Sequence, residues 1–257
     1  MDLSMWQAVL LGLIQGLTEF LPVSSSGHLV LGQALLNIDE HMLTFDVFVH
    51  VGTLLAVFVY FWQDIVSILK KPFCHFTALI VVGCIPAAIM GLVLDDIFTY
   101  LFSSVIAVAC ALIVTGVLLF FTDCFNGSKT LDDMTLPQAL LVGFFQGCAI
   151  APGLSRSGST IFGSLLCGLK RSDAARFSFI VSIPVILGAA LKESLDMVSA
   201  GSFSIEPAYI VGAAVAAISG YVAIRIFIRL LENKSMRFFS YYVWAVAAIC
   251  LISRLFA

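Results

Sequence analysis

The chain has 257 residues, of which 61% are hydrophobic and 11% charged, with a formal net charge of -3. A water-exposed surface normally needs about a quarter of residues charged, so this composition excludes a soluble globular domain. No basic stripe points to nucleic acid, and seven scattered cysteines make neither a disulfide framework nor a metal pattern.

The opening residues carry no cationic leader and no small-residue cleavage site, so the first apolar segment is expected to stay in the protein. That segment, 5–36, is broken at Leu21-Pro22-Val23-Ser24-Ser25-Ser26-Gly27. Each half is shorter than the roughly 20 residues a spanning helix needs. Uninterrupted apolar runs follow at about 43–63, 73–94 and 101–122, then a polar linker at 123–135. A second broken stretch, 136–169, is interrupted at Pro152-Gly153-Leu154-Ser155-Arg156-Ser157-Gly158 and precedes runs at 175–195, 206–230 and 238–256. The pattern predicts an all-α polytopic membrane protein, a single membrane domain of six transmembrane helices plus two re-entrant helical hairpins.

Sliding the sequence by 131 positions aligns the two broken stretches without a gap, with twelve identities in 34 positions, among them Asp2/Asp133, Gly12/Gly143, Gln15/Gln146, Gly16/Gly147, Ser24/Ser155 and Ser26/Ser157. Both copies open with a capping box, Ser4-x-x-Gln7 and Thr135-x-x-Gln138. This implies an internal duplication, 1–122 and 136–257, and three crossings between the hairpins would invert the second copy. Paired interrupted segments of this kind point to a binding site between the repeats.

Under that topology Lys70, Lys71, Lys129, Lys170, Arg171, Arg176, Arg225, Arg229, Lys234 and Arg237 fall on one side, and only Lys192 and Arg254 on the other. The positive-inside rule makes the first side cytoplasmic. Both termini and the mouth of the first hairpin are then expected to face outward.

Irregular backbone at membrane depth must be buried in protein or line a wet cavity. The second half-helix of each hairpin starts at its turn, so two helix N-termini favour an anion there. Arg156 in the second turn has the planar fork for a phosphate. Gln15 and Glu19, four apart, share one helix face; with a polyanion they suit a hard cation such as Mg²⁺ or Ca²⁺, while Glu19 paired with Arg156 is the plainer reading. His28 is either a structural residue or a general base. Ser24, Ser25, Ser26, Ser155, Ser157 and Thr160 are helix caps by default, phosphate contacts or a nucleophile by the sharper reading. Asp46 and His50, also four apart at the outward end of the first crossing, are interfacial residues by the simpler reading and cavity-lining ones by the sharper. The copies differ where chemistry is expected: Glu19 corresponds to Ile150, Ser25 to Arg156 and His28 to Ser159.

The segments Gln15-x-x-x-Glu19-Phe20-Leu21-Pro22-Val23-Ser24-Ser25-Ser26-Gly27-His28 and Pro152-Gly153-Leu154-Ser155-Arg156-Ser157-Gly158-Ser159-Thr160 resemble the undecaprenyl-pyrophosphate phosphatases, also called bacitracin-resistance proteins. The resemblance implies hydrolysis of a polyprenyl pyrophosphate to the monophosphate and inorganic phosphate, recycling the carrier for wall polymers. It also implies a divalent cation on Gln15 and Glu19, where the family has Glu or Gln at the first position. Arg156 would bind pyrophosphate, with nucleophile or base roles for Ser25 and His28. The site would face outward from the bacterial plasma membrane, with the lipid substrate and the bilayer as partners; a homo-oligomer stays open. The rival expectation is an inverted-repeat transporter or flippase for an anionic lipid headgroup.

Overall fold

The structure, a computed structural model, describes residues 3–38, 43–125, 127–199, 205–233 and 235–255. Asp2 and Lys234, used above for the repeat and the charge balance, lie outside them, as does the Arg254 side chain.

Local sequence sets the hairpins. In the first, α1 (Met5–Phe20) starts at Ser4, whose N–H and hydroxyl both donate to Gln7 Oε1 at 3.0 and 2.6 Å. It stops before Pro22, which has no N–H to continue a helix. The helix restarts as α2 (Ser25–Leu35), where Ser24 Oγ accepts from the Gly27 N–H at 3.3 Å. After these come α3 (Leu43–Tyr60), α4 (Trp62–Lys70), α5 (His75–Val93), α6 (Asp95–Phe102) and α7 (Val105–Thr122). The second hairpin repeats the devices. Thr135 and Gln138 cap α8 (Leu136–Cys148), Pro137 lies in its first turn, and Ser155 Oγ accepts from the Gly158 N–H at 3.1 Å to start α9 (Arg156–Leu166). Three longer helices close the chain: α10 (Arg171–Ser199), α11 (Pro207–Asn233) and α12 (Arg237–Leu255).

No strand occurs among the described residues beyond an isolated bridge between Lys129 and Leu169. Four helices, α5, α7, α10 and α11, are long and apolar enough to cross a bilayer, and the bent pair α3–α4 makes a fifth. The described apolar part of α12 falls short of that length. Two runs differ from the sequence expectation. The run expected at 43–63 bends by 78° after Tyr60, because α4 is amphipathic and leans its Ile65 and Ile68 on the core while Arg176 pairs with Asp64. The run expected at 101–122 is divided at Ser103 and Ser104, whose hydroxyl caps α7. The linker is partly ordered, since Lys129 N–H donates to Gly168 O at 3.0 Å and Lys170 N–H to Lys129 O at 2.9 Å.

Each hairpin packs on a helix from the other half of the chain, α1 on α11 and α8 on α5. Glycine makes the approach possible. A Cβ on Gly12 would lie 2.4 Å from Gly212 O, and one on Gly143 would lie 2.3 Å from Gly83 O. Gly16 and Gly147, one turn further, are equally tight against Ser219 and Met90, so both contacts have the small-xxx-small form of close helix pairs in membranes. The α7–α12 contact joins positions 131 apart, Trp244 Nε1 donating to Ile113 O at 3.0 Å. Inside lie Phe20, Phe177, Phe179 and Phe227, fully buried, while Trp6, Val59, Leu92 and Ile218 are exposed. An apolar exterior over an apolar core suits a lipid surround.

Candidate functional site

The two turns meet at a buried carboxylate. Glu19, in the last turn of α1, accepts from Arg156 Nη2, in the first turn of α9, through Oε1. Its other oxygen, Oε2, accepts from Ser25 Oγ at 2.5 Å and from Gln15 Nε2 at 3.0 Å. His50 Nε2 lies 3.9 Å from the same oxygen. The Glu19 and Arg156 side chains are 5% and 14% exposed, which is tolerable for opposite charges only because they pair and are hydrogen-bonded. Arg156 Nη1 and Gln15 Oε1 remain buried without a partner. The cluster therefore offers one unpaired donor and one unpaired acceptor, the complement to a ligand bearing anionic oxygens and a cation.

Further contacts fix the turns. Ser157 Oγ donates to Leu21 O at 3.2 Å, tying one turn to the other. Thr115 of α7 pins the second, its hydroxyl donating to Gly153 O and accepting from the Ser155 N–H, both at 2.9 Å. Gly153 has φ +92° and sits against Val108 O, a conformation and a spacing only glycine allows. His50 Nδ1 donates to Asp46 O at 2.7 Å, which leaves Nε2 turned towards Glu19. Gln33 Nε2 donates to Asp46 Oδ1 at 3.0 Å.

Of the residues singled out from sequence, Gln15, Glu19, Ser25 and Arg156 come into direct contact. Ser24 and Ser26 form a hydroxyl pair at 3.3 Å, as do Ser155 and Ser157 at the same distance. The Thr160 hydroxyl is engaged by Arg156 O at 2.8 Å and Ser178 Oγ at 2.6 Å, towards α10. His28 is engaged at both nitrogens elsewhere, Nδ1 on Ser24 O at 2.8 Å and Nε2 on the Tyr242 hydroxyl at 3.0 Å. The histidine beside Glu19 is His50. Its spacing from Asp46 was visible in the sequence, whereas Thr115 and Tyr242 gave no local signal.

Among the described residues no three His, Cys, Asp or Glu side chains cluster as a metal site. The oxygens at hand are the Glu19 carboxylate and the unpartnered Gln15 Oε1. That pair fits a hard cation that takes its remaining ligands from phosphate and water.

Fold and site together define an all-helical membrane protein with an arginine–carboxylate–serine cluster between two helix-turn-helix hairpins. The bacitracin resistance protein BacA family matches residues 8–249, and the chain belongs to that family. A protein of Halothermothrix orenii named undecaprenyl-diphosphatase is 46% identical, the match covering 97% of this chain and 98% of the relative. Undecaprenyl-diphosphatase 3 of Bacillus cereus is 42% identical over 96% of each chain, and so is the undecaprenyl-diphosphatase of Carboxydothermus hydrogenoformans.

Proposed function

We propose that the protein hydrolyses undecaprenyl pyrophosphate to undecaprenyl phosphate and inorganic phosphate. The observation that carries this reading is the contact of Ser25, Glu19 and Arg156 between two helix N-termini, in a chain whose relatives are named for that reaction. Recycling the carrier in this way supports wall-polymer synthesis and accounts for bacitracin resistance. The transporter reading rests on hairpin architecture alone and has no observation of its own in its favour.

Arg156 binds the diphosphate, with Nη1 already free and Nη2 shared with Glu19. Ser25 Oγ attacks the terminal phosphorus as its proton passes to Glu19 Oε2, the oxygen it already meets. The bond from that phosphorus to the bridging oxygen breaks, and undecaprenyl phosphate leaves with the electron pair, taking the proton from Glu19. Glu19 then deprotonates a water that attacks the phosphoserine; the bond from phosphorus to Ser25 Oγ breaks, inorganic phosphate is released, and Glu19 returns the proton to Ser25 Oγ. A divalent cation, Mg²⁺ or Ca²⁺, held by Glu19 and Gln15, supplies neutralisation of the diphosphate charge when bound. The N–H groups opening α2 and α9 add positive potential. Positioning and charge stabilisation are the main sources of rate in phosphoryl transfer.

The architecture in this proposal is two inverted repeats of one re-entrant hairpin and three crossings each. Its support is the recurrence of α5 and α7 as α11 and α12 at nearly the same offset as the hairpins. The plasma membrane is the site of action, with the cluster open to the outer face.

The test is phosphate release from undecaprenyl pyrophosphate by purified protein, with and without a chelator. Wild type releases phosphate and the chelator stops it. Arg156→Ala lowers turnover by about 10³-fold, and Arg156→Lys, which keeps a cation beside Glu19, controls for folding. No release by intact protein rejects the hydrolase; undiminished release by Arg156→Ala removes that residue from the site.

A further inference from the structure

We propose that Tyr242 is a positioning residue for this reaction, acting through His28 to hold Ser24 in the left-handed backbone conformation that delivers Ser25 to Glu19. The proposal rests on the reading of Ser25 as the nucleophile. Ser24 has φ 70° and ψ 97°, a region where the Cβ of an ordinary L-residue is crowded and which persists only when the surroundings impose it. Ser25 is the next residue, so the peptide orientation at Ser24 determines where the Ser25 hydroxyl lies.

Besides the hydroxyl pair with Ser26, three hydrogen bonds surround Ser24. Its Oγ accepts from the Gly27 N–H at 3.3 Å, and its carbonyl accepts from the His28 N–H at 3.1 Å and from His28 Nδ1 at 2.8 Å. A carbonyl can only accept, so the ring proton is on Nδ1 and the neutral imidazole presents Nε2 as an acceptor. That acceptor meets the Tyr242 hydroxyl at 3.0 Å, and the two rings lie 8° from parallel with centroids 5.7 Å apart. The chain Tyr242 to His28 to Ser24 thus runs from α12 in one half of the protein to the strained turn in the other.

The second hairpin supplies an internal comparison. Ser155, the counterpart of Ser24, makes the same cap on Gly158 and the same serine pair with Ser157. Yet its backbone is ordinary, φ -71° and ψ 118°. The position of His28 is taken there by Ser159, whose buried hydroxyl has no partner. The cap alone therefore does not require the left-handed turn. The left-handed turn is found in the copy that has the histidine and its tyrosine.

A double-mutant cycle with a tautomer readout tests this. Tyr242→Phe keeps the ring and removes the hydroxyl; it lowers kcat about tenfold, with KM within about twofold, an effect equal to about 1.4 kcal/mol. It also moves the His28 Nε2 ¹⁵N resonance of the purified protein, a readout independent of turnover. Ser24→Gly loses the cap and lowers kcat by itself, but glycine accepts positive φ freely. In that background Tyr242→Phe therefore costs less than about twofold, the coupling expected of residues acting as one unit. An equal factor in both backgrounds, an unchanged kcat in Tyr242→Phe, or an unmoved His28 resonance overturns the proposal. Failure of the serine reading shows separately, as turnover retained by Ser25→Ala.

Discussion

At the residue scale, Asp123 does at one end of the bundle what Glu19 does between the turns. It follows α7 and accepts from Arg171 Nη2 at 2.6 Å, from the Ser235 hydroxyl, and from the Met236 N–H at 3.1 Å, with Arg237 Nε at 4.0 Å. It so joins the ends of α7, α10 and α12. Burial alone would raise its pKa, but the bonds from Ser235, Arg171 and Met236 outweigh burial and hold it below the usual carboxylate value. A depressed folded pKa stabilises the protein above the unfolded pKa, and the contribution is lost as pH falls through the folded one. Asp123→Asn is therefore expected to cost about 1–3 kcal/mol at pH 7, the gap to wild type closing only below pH ~4. Thermal unfolding in detergent across that range checks it; equal stability at pH 7 would dismiss the latch. Glu19, Ser25 and Arg156 stood out in the sequence because the repeat exposed them as differences between copies. His50 showed only as a partner of Asp46 on its own helix, with nothing to tie it to Glu19, and Tyr242, 214 positions from His28, did not show at all.

At the element scale, both breaks and their restarts were readable, because proline, serine caps and glycine act on the nearest few residues. The bend after Tyr60 was not. No proline or glycine marks it, and what holds α4 in place is remote in sequence: the core under Ile65 and Ile68 and the pairing of Asp64 with Arg176. Glycine carries a second layer of information: the Gly12/Gly143 and Gly16/Gly147 identities looked like traces of duplication, and the fold gives them a packing reason. Their partners, α11 and α5, could not be named from sequence, since a close helix pair leaves its signature on each helix separately. Gly12→Ala is expected to destabilise the protein by about 1–3 kcal/mol, the range for overpacking, because its Cβ meets backbone that cannot step aside. Gly188→Ala, with nothing within 4 Å of the added Cβ, is expected to be neutral or to gain up to about 1 kcal/mol from helix propensity. The two unfolding temperatures in one detergent decide it; equal shifts would sink the close-packing explanation.

At the scale of the whole molecule, ion pairs sort the polar residues into two ends. Asp123 with Arg171, and Asp64 with Arg176, gather the ends of α3–α4 and α7 around the start of α10. Lys192, further along α10, pairs instead with Asp95 at the start of α6, at 2.9 Å. At 1.5 Å per residue, Arg171 and Lys192 stand roughly 30 Å apart along the helix, about the thickness of a hydrocarbon core. The end holding Arg171 and Arg176 also holds the ordered linker around Lys129, next to Lys170, and on the positive-inside rule we propose that this end faces the cytoplasm. A cysteine-free variant carrying either Ser103→Cys, exposed between α6 and α7, or Asp132→Cys, exposed in the linker, makes the assignment measurable. A membrane-impermeant maleimide added to intact spheroplasts is expected to label position 103 at once and position 132 only after permeabilisation. The reverse pattern would turn the protein over and place the proposed outward mouth of the first hairpin on the cytoplasmic face, where a diphosphate released outside could not reach it. Labelling of both positions before permeabilisation would mean that α7 does not cross, and the three-crossing repeat would fall with it.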